Sequence, residues 1–292
     1  MKNTKLKVAV VGTGAIGTVI GHALNNRPDL ELYFLNRSPR TTLTLQYRER
    51  TVFNPVQLSD PGDLPVLDWC ILCLKEYQYA KARPILSQVL SPSTNAVVLR
   101  NGLKHQQSLA GLHPEEQILP AIIDAPTQLR EGGGYHQLKK GVITVPAGPL
   151  GKMVADLCIS DHVVVELTAD FHTACWQKVI SSASLGGILA LTGQTCVVLQ
   201  DPAIWTLFQQ LLEEGIRVAI ADGATLPSDY LQKELARCAA YPSGKGSSML
   251  TDRLAGRPIE IMAKNGVIAE LASKRGVQAS LHRAVAWHLG RY

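Results

Sequence analysis

Long apolar runs are absent from this sequence of 292 residues. No segment approaches the roughly 18 consecutive apolar residues that a membrane-spanning helix requires, so we expect no contact with a membrane. The first six residues are polar and contain lysine, and glycines interrupt the apolar stretch that follows. Because this pattern is unlike a signal peptide, the sequence predicts a cytoplasmic protein.

Concentrated basic charge is also absent. The formal net charge is +5, and the lysines and arginines are scattered along the chain. Proteins that bind nucleic acid through electrostatics gather such residues into runs or patches, so we expect no nucleic-acid partner. The modest positive charge remains compatible with a small anionic ligand.

Disulfide and metal patterns are lacking as well. The six cysteines have wide, irregular spacing, which does not indicate a disulfide framework. Cys70 and Cys73 form a CxxC pair, but they lie in an apolar run and no second pair follows, which favours buried thiols over a redox or zinc site. His282 and His288 are six residues apart, which does not suit a helical ligand pair. No metal site is predicted.

The first half of the chain has the pattern of an α/β protein. Short apolar runs alternate with helical stretches, which favours a Rossmann-type, doubly wound and mainly parallel sheet. The Arg130–Tyr135 segment contains three consecutive glycines and is predicted to be a flexible loop. The predicted strands are Lys7–Val11, Glu31–Leu35, Trp69–Leu74, Ala96–Leu99, Gln117–Ile123, Val142–Val145 and His162–Leu167.

The second half, from Thr168 onward, has a helical pattern with little strand signal. Asp201 and Pro202 occupy the N-cap and first-turn positions that these residue types favour. We therefore predict a domain of residues 1–167 followed by an all-helical domain of residues 168–292. The predicted helices are Ala169–Leu191, Pro202–Asp222, Tyr230–Ala240, Ser247–Ala255, Ile259–Ser273 and Leu281–Leu289.

A glycine motif follows the first predicted strand and opens the first helix, Ala15–Leu24. Its residues are Gly12, Thr13, Gly14, Ala15, Ile16 and Gly17, with the GxGxxG spacing. Glycines at these positions allow a tight turn, a close approach of the backbone to a pyrophosphate, and close packing of helix and strand. The motif predicts a dinucleotide site. A purely structural turn in another α/β protein is the alternative.

The end of the second strand indicates which dinucleotide is bound. NAD-binding folds usually carry an acidic residue there, whereas this chain has Asn36, Arg37 and Ser38. A guanidinium can pair with a 2′-phosphate, and Arg40 can assist. We therefore predict NADP(H) as the cofactor, although Arg37 as a solvated surface residue is the alternative.

Five segments together resemble the ketopantoate reductase (2-dehydropantoate 2-reductase) family over nearly the whole chain. Their order and spacing make this resemblance more specific than the glycine motif alone. It implies a Rossmann-type domain that binds NADP and a helical domain, like the C-terminal domain of 6-phosphogluconate dehydrogenase, for substrate binding and dimerisation. The segments are Leu72–Gln78, Leu99–Leu103, Trp176–Lys178, Ser247–Asp252 and Gly256–Ile261.

The resemblance also implies catalytic residues. Lys178 stands where the family has its general acid, and Asn101 matches an asparagine beside the nicotinamide and the substrate. This chemistry is physically reasonable, because hydride transfer to a ketone leaves negative charge on oxygen, which a proton donor and a hydrogen-bond donor stabilise. For Lys178, an ordinary lysine on a helix surface is the alternative.

Further matching positions imply binding roles. Lys75 and Arg37 correspond to residues near the family's cofactor, and Ser248 and Glu260 to residues that bind its substrate. Two structural alternatives stay open: Ser248 as a hydroxyl at a helix N-terminus, and Glu260 as a solvated or capping carboxylate.

The chain departs from the family at several substrate positions. Ser182 and Gly186 replace two asparagines that follow the catalytic lysine, Lys245 replaces another, and Met262 replaces a common aspartate. Ser182 can still bind the substrate by a hydrogen bond. The small Ser182 and Gly186 predict room for a bulkier acid, and Lys245 predicts an added positive charge for it.

Three hypotheses follow. The leading one is an NADPH-dependent oxidoreductase that reduces a 2-oxo acid, with 2-dehydropantoate as the first candidate, in a cleft between the sheet edge and the helical half. The second is a reductase of the same fold for a different 2-oxo acid, and the third is an NADP-binding sensor without turnover. The apolar helices of the second half suggest a homodimer.

Overall fold

The computed structural model describes residues 5–25, 27–36, 42–53, 56–57 and 61–290. The chain divides into two compact units. The first comprises Met1–Arg100 and Lys104–Phe171, and the second comprises Asn101–Leu103 and His172–Tyr292. The predicted domain boundary after residue 167 stays a prediction.

The first unit contains twelve strands and three α-helices among its described residues. The strands are β1 Leu6–Val11, β2 Leu30–Leu35, β3 Leu43–Tyr47, β4 Glu49–Phe53, β5 Val56–Gln57, β6 Trp69–Leu72, β7 Asn95–Leu99, β8 Ile118–Asp124, β9 Thr127–Leu129, β10 Tyr135–Gln137, β11 Gly141–Pro146 and β12 Val163–Thr168. The helices are α1 Ala15–Asn25, α2 Tyr79–Val89 and α3 Pro149–Leu157.

Eight strands form the main sheet in the order β12-β11-β8-β7-β6-β1-β2-β5. The β8–β11 pair is antiparallel, and the remaining neighbours are parallel. The strand order reverses at β1, because β2 lies on one side of it and β6 on the other. A ligand crevice forms at such a reversal, beyond the carboxyl ends of the strands.

Successive side chains of β1 point to opposite faces of the sheet, and the apolar residues on both faces explain why this strand lies in the centre. Val8 and Val10 face the apolar cluster that includes residues of α1 and α3. Ala9 and Val11 face the opposite cluster, which includes residues of α2. Both faces of the strand are therefore buried, as in parallel sheets covered by helices on two sides.

A second sheet, with the order β4-β3-β10-β9, was not predicted. It consists of two short hairpins, and α1 contacts strands of both. The predicted flexible loop over Arg130–Tyr135 contributes the turn between β9 and β10. Gly132, Gly133 and Gly134 all have positive φ there, of +79°, +90° and +77°. Glycine adopts this conformation without the steric cost that other residues incur.

The described part of the second unit is helical, as predicted. Asp201 caps α5 as expected, because its Oδ1 accepts a hydrogen bond of 2.8 Å from the Ala203 amide. Trp176 and Phe208 are among the fully buried side chains of its core. The helices are α4 Phe171–Thr192, α5 Pro202–Ala221, α6 Tyr230–Ala239, α7 Ser248–Leu254, α8 Val267–Arg275 and α9 Ser280–Leu289. The predicted fold class, a Rossmann-type sheet followed by a helical domain, is confirmed.

The helix predicted over Ile259–Ser273 was wrong at its start. The structure has a π-helical turn at Met262–Gly266, and α8 begins only at Val267. The Gly266 amide donates to the Ile261 carbonyl oxygen at 2.9 Å, which is the i→i+5 bond of a π turn. Such turns are frequent at functional sites.

Candidate functional site

The glycine motif forms the tight turn between β1 and α1. Gly12 has φ +89°, and its amide donates to the Leu35 carbonyl oxygen at 2.9 Å. A Cβ atom at Gly17 would lie 1.8 Å from the Gly12 carbonyl oxygen. No side chain fits at that distance, so Gly17 allows the helix to pack directly on the turn.

Gly14 has a different environment. A Cβ atom built on this residue would meet no heavy atom within 4 Å. Packing within the described residues therefore does not require glycine here. A ligand that approaches the backbone does require it, which is the role expected of the second glycine for a pyrophosphate.

Asn36, directly after β2, is part of the same turn. Its Oδ1 accepts a hydrogen bond of 2.7 Å from the Thr13 amide. Its Nδ2 is buried and has no hydrogen-bond partner among the described residues. A buried donor without a partner is costly, so this atom and the open space at Gly14 fit a bound dinucleotide. Arg37 and Arg40 lie outside the described residues.

Lys75 follows β6, the strand that pairs with β1 on the side opposite β2. Its amide donates to Gln78 Oε1 at 2.8 Å, which fixes the short turn that leads into α2. Because β1 and β6 are parallel neighbours, Lys75 and the glycine motif lie at the same edge of the sheet. This is where the cofactor was predicted to bind.

The second unit brings together Asn101, a predicted catalytic residue, and Glu260, a predicted substrate-binding residue. Asn101 Nδ2 donates to Glu260 Oε2 at 3.0 Å, across 159 residues of sequence. Glu260 is only 7% exposed. The alternative of a solvated carboxylate for Glu260 is therefore wrong. Gly102, the next residue, must be glycine, because its φ is +96° and a Cβ atom would lie 2.9 Å from the Ala263 carbonyl oxygen.

Ser248 is the first residue of α7, and the adjacent Ser247 is the N-cap. The Ser247 Oγ accepts from the Leu250 amide at 3.2 Å, so capping does not depend on Ser248. The Ser248 Oγ instead accepts a hydrogen bond of 3.2 Å from Lys264 Nζ. Ser248 is exposed, whereas Lys264 is only 2% exposed.

Lys178 and Ser182 lie on one face of α4, one turn apart, and both are half-buried. The Ser182 hydroxyl lies 3.5 Å from the Val179 carbonyl oxygen. Gly186 continues this face by another turn. A Cβ atom there would lie 2.9 Å from Met249 Sδ, so the methionine fills the space that we had expected to accommodate a bulkier acid. That expectation is wrong for Gly186.

The expectation that Lys245 adds a positive charge for the substrate is not supported either. Its Nζ lies 4.2 Å from the centroid of the Tyr241 ring, in a cation–π contact. The Arg237 guanidinium lies 5.2 Å from the same centroid. This surface cluster holds Lys245 on the aromatic ring.

Lys264 and Asn265 are polar residues of the π turn that the sequence analysis missed. Asn265 is fully buried, and its Nδ2 lies 3.2 Å from the Ala183 carbonyl oxygen and 3.0 Å from His282 Nδ1. A signal for Lys264 was available. It follows Glu260 by four residues in a predicted helix, so both belonged on one face.

The CxxC pair is part of the sheet region, as predicted. Cys70 is buried in β6, and burial raises the pKa of its thiol to about 12. Burial also raises the pKa of Cys73. The raised pKa values keep both thiols protonated at neutral pH.

Two negative observations concern the described residues as a whole. No group of three or more histidine, cysteine, aspartate or glutamate side chains is arranged to hold a metal ion. Among the same residues, no helix combines the length and apolar character that crossing a bilayer requires.

Comparisons with known proteins define the class. The family model described as "Ketopantoate reductase PanE/ApbA" matches residues 8–149, and the model for the C-terminal part of that family matches residues 170–291. The chain therefore belongs to the ketopantoate reductase family and is an oxidoreductase, as the sequence analysis predicted. Membership in this family implies a nicotinamide cofactor.

Individual relatives are similar over nearly their full length. A 2-dehydropantoate 2-reductase from Caulobacter vibrioides is 29% identical over 271 residues, which cover 92% of this chain and 93% of the relative. A dimeric ketopantoate reductase from Staphylococcus aureus superimposes with a TM-score of 0.86 at 23% identity, covering 98% of both chains. A D-mandelate dehydrogenase in complex with NADH and anilino(oxo)acetate has a TM-score of 0.86 at 18% identity, also covering 98% of both chains.

Proposed function

We propose that this protein catalyses the NADPH-dependent reduction of a 2-oxo acid to a 2-hydroxy acid, with 2-dehydropantoate as the first candidate substrate. The hydrogen bond between Asn101 and Glu260 carries the proposal, because it joins two of the family's polar positions in one partly buried cluster. Lys178, Ser182 and Ser248 complete the proposed substrate site.

Lys178 is the proposed general acid. When bound, the reduced nicotinamide supplies a hydride to the ketone carbon, and the electron pair of the carbonyl bond moves to oxygen. Lys178 Nζ gives its proton to that oxygen, so the product is a neutral hydroxyl. In this proposal, one proton of the Asn101 amide nitrogen bonds Glu260, and the other donates a hydrogen bond to the same developing charge.

The Lys178→Ala variant tests this role. Loss of a general acid lowers kcat by roughly 100- to 10,000-fold, while binding of NADPH in the first unit remains unchanged. Lys233→Ala is the control, because Lys233 is an exposed lysine of the same unit, paired with Asp229 at 2.8 Å. A Lys178→Ala variant with near-normal turnover of 2-dehydropantoate refutes the assignment.

The proposed cofactor site comprises Gly12, Thr13, Gly14, Ala15, Ile16, Gly17, Arg37, Lys75 and Asn101. NADPH is favoured over NADH because Asn36 and Arg37, instead of an acidic residue, follow β2 in the sequence. A comparison of kcat/KM for the two cofactors tests this preference, and a clear preference for NADH overturns it.

A different 2-oxo acid is the second candidate substrate. The structural neighbour D-mandelate dehydrogenase holds anilino(oxo)acetate, so this fold accommodates an aromatic 2-oxo acid. Ser182 in place of the family asparagine supports an altered pocket. A panel of aliphatic and aromatic 2-oxo acids, with NADPH oxidation as the readout, separates the two candidates.

We also propose a homodimer formed through the second unit. The Staphylococcus aureus neighbour is dimeric, and Leu254, Met262 and Trp287 are large apolar residues exposed in this unit. Light scattering tests the proposal, because a dimer has twice the mass of the 31.6 kDa chain.

A further inference from the structure

Lys264 is a buried cation within the proposed substrate region. Its side chain is 2% exposed, and its Nζ donates to the Ser248 Oγ at 3.2 Å. It follows Glu260, which accepts the Asn101 amide, by four residues. A buried ammonium group costs free energy unless polar groups compensate it, and the Ser248 oxygen is one such group.

The contact with Lys264 determines how the Ser248 hydroxyl can bond. A serine hydroxyl has one proton to donate, and its oxygen is already an acceptor for the ammonium group. The hydroxyl proton therefore points away from Lys264. Because Ser248 is exposed, this proton is accessible to a ligand. A donor polarised by an adjacent cation binds an anion more strongly than it binds a neutral acceptor.

We propose, resting on the proposed function, that Lys264 is a positioning and specificity residue. It acts through Ser248 and makes this site select the carboxylate of the 2-oxo acid over a neutral group. Glu260, with its negative charge, repels a carboxylate and suits a hydroxyl or amide group of the substrate. The two charges therefore orient the substrate, with its carboxylate toward Ser248.

Lys264 takes the role for which Lys245 was the candidate from sequence. The Lys245 ammonium lies against the Tyr241 ring, and no contact in the structure links it to Ser248, Glu260 or Asn101 within the described residues. Lys264 contacts Ser248 directly. Removal of the charge is therefore expected to change the selection of the carboxylate at Lys264 and to leave it unchanged at Lys245.

The test compares an acid with its neutral ester. The substrates are 3-methyl-2-oxobutanoate and its methyl ester, and the readout is the ratio of their kcat/KM values with NADPH. In Lys264→Met this ratio falls roughly ten- to hundredfold, because the Ser248 hydroxyl loses the adjacent charge that strengthens its hydrogen bond to the carboxylate. The change lies in KM for the acid, while kcat for the ester is preserved.

Three further variants make the result specific. Lys264→Arg restores the charge and keeps the ratio within about threefold of the wild type, since a guanidinium also donates to Ser248. Lys245→Met and the surface control Lys233→Met leave the ratio unchanged. Thermal unfolding confirms that each variant is folded.

Two outcomes overturn the inference. One is an equal loss for acid and ester in Lys264→Met, which shows a structural role only. The other is a loss of discrimination in Lys245→Met instead. If the wild type reduces no 2-oxo acid, the proposed function fails, and calorimetric binding of the acid and the ester then decides the inference separately. Equal affinity of the wild type for both compounds overturns it.

Discussion

Two alanine substitutions in the glycine motif separate packing from ligand binding. In Gly17→Ala the new Cβ would lie 1.8 Å from the Gly12 carbonyl oxygen, which is a backbone atom. Relief requires the turn or helix α1 to shift. Overpacking of this kind costs up to about 3 kcal/mol, and we expect that upper value here because no flexible side chain can move aside.

Gly14→Ala has the opposite profile. The added methyl meets no atom within 4 Å, and Gly14 is not among the residues with positive φ. The substitution therefore leaves stability unchanged or raises it by about 0.4–1 kcal/mol through the unfolded state. The methyl occupies the space where the pyrophosphate is expected. If one hydrogen bond to the phosphates is lost, NADPH binds roughly ten- to hundredfold more weakly.

Urea unfolding and NADPH titration measure the two effects on the same preparations. Gly244→Ala is a matched control, since its Cβ also meets nothing within 4 Å and it lies outside the motif. Wild-type stability in Gly17→Ala contradicts the packing argument. Wild-type NADPH affinity in Gly14→Ala contradicts the assignment of a pyrophosphate to this turn.

Three further substitutions or conditions give defined expectations. Burial lowers the pKa of His282 to about 4, below its ordinary value of 6.5, so on acidification the unfolded chain binds a proton before the folded protein does. The free energy of unfolding therefore falls by up to about 3 kcal/mol as pH drops from 6.5 toward 4. Urea midpoints measured between pH 7.5 and pH 5 test this, and a flat profile contradicts it. Gly186→Asn restores the family residue but crowds Met249, so we expect the free energy of unfolding, measured in urea, to fall by about 1–3 kcal/mol. We expect no gain in 2-dehydropantoate turnover. Asn36→Asp keeps an acceptor for the Thr13 amide but introduces a negative charge that repels a 2′-phosphate. The preference for NADPH over NADH, measured as the ratio of kcat/KM values, therefore falls at least about tenfold. An unchanged preference counts against a 2′-phosphate near this position.

The main sheet could be predicted because its central strands, β1, β6 and β7, are buried on both faces. Seven strands of the sheet gave continuous apolar runs, and β1 was assigned to within one residue at its start. The hairpins of the second sheet were missed because β9 and β10 have only three residues each and β4 carries mostly exposed residues. Short strands of mixed polarity give no periodic signal.

The candidate site was predictable to different degrees in the two units. The glycine motif depends on residues adjacent in sequence, so its geometry followed from the spacing. The Asn101–Glu260 contact joins residues 159 positions apart, and only the family resemblance pointed to it. The space beside Gly186 depends on Met249 of another helix, which no local pattern encodes.

The π turn at Met262–Gly266 explains why the proposed substrate region was the least predictable part. The i→i+5 bond from Gly266 to Ile261 places one more residue in this turn than an α-helical turn holds. Lys264 and Asn265 are both buried there, with Lys264 directed to Ser248 and Asn265 to His282. In a regular α-helix, which lacks the extra residue, the residues after this segment would be rotated about the helix axis by one residue's share of a turn. At least one of these two side chains would then have different partners. The local helical geometry therefore decides which polar groups line the proposed substrate site, and it gives Lys264 a contact with Ser248 while Lys245 lies against the Tyr241 ring.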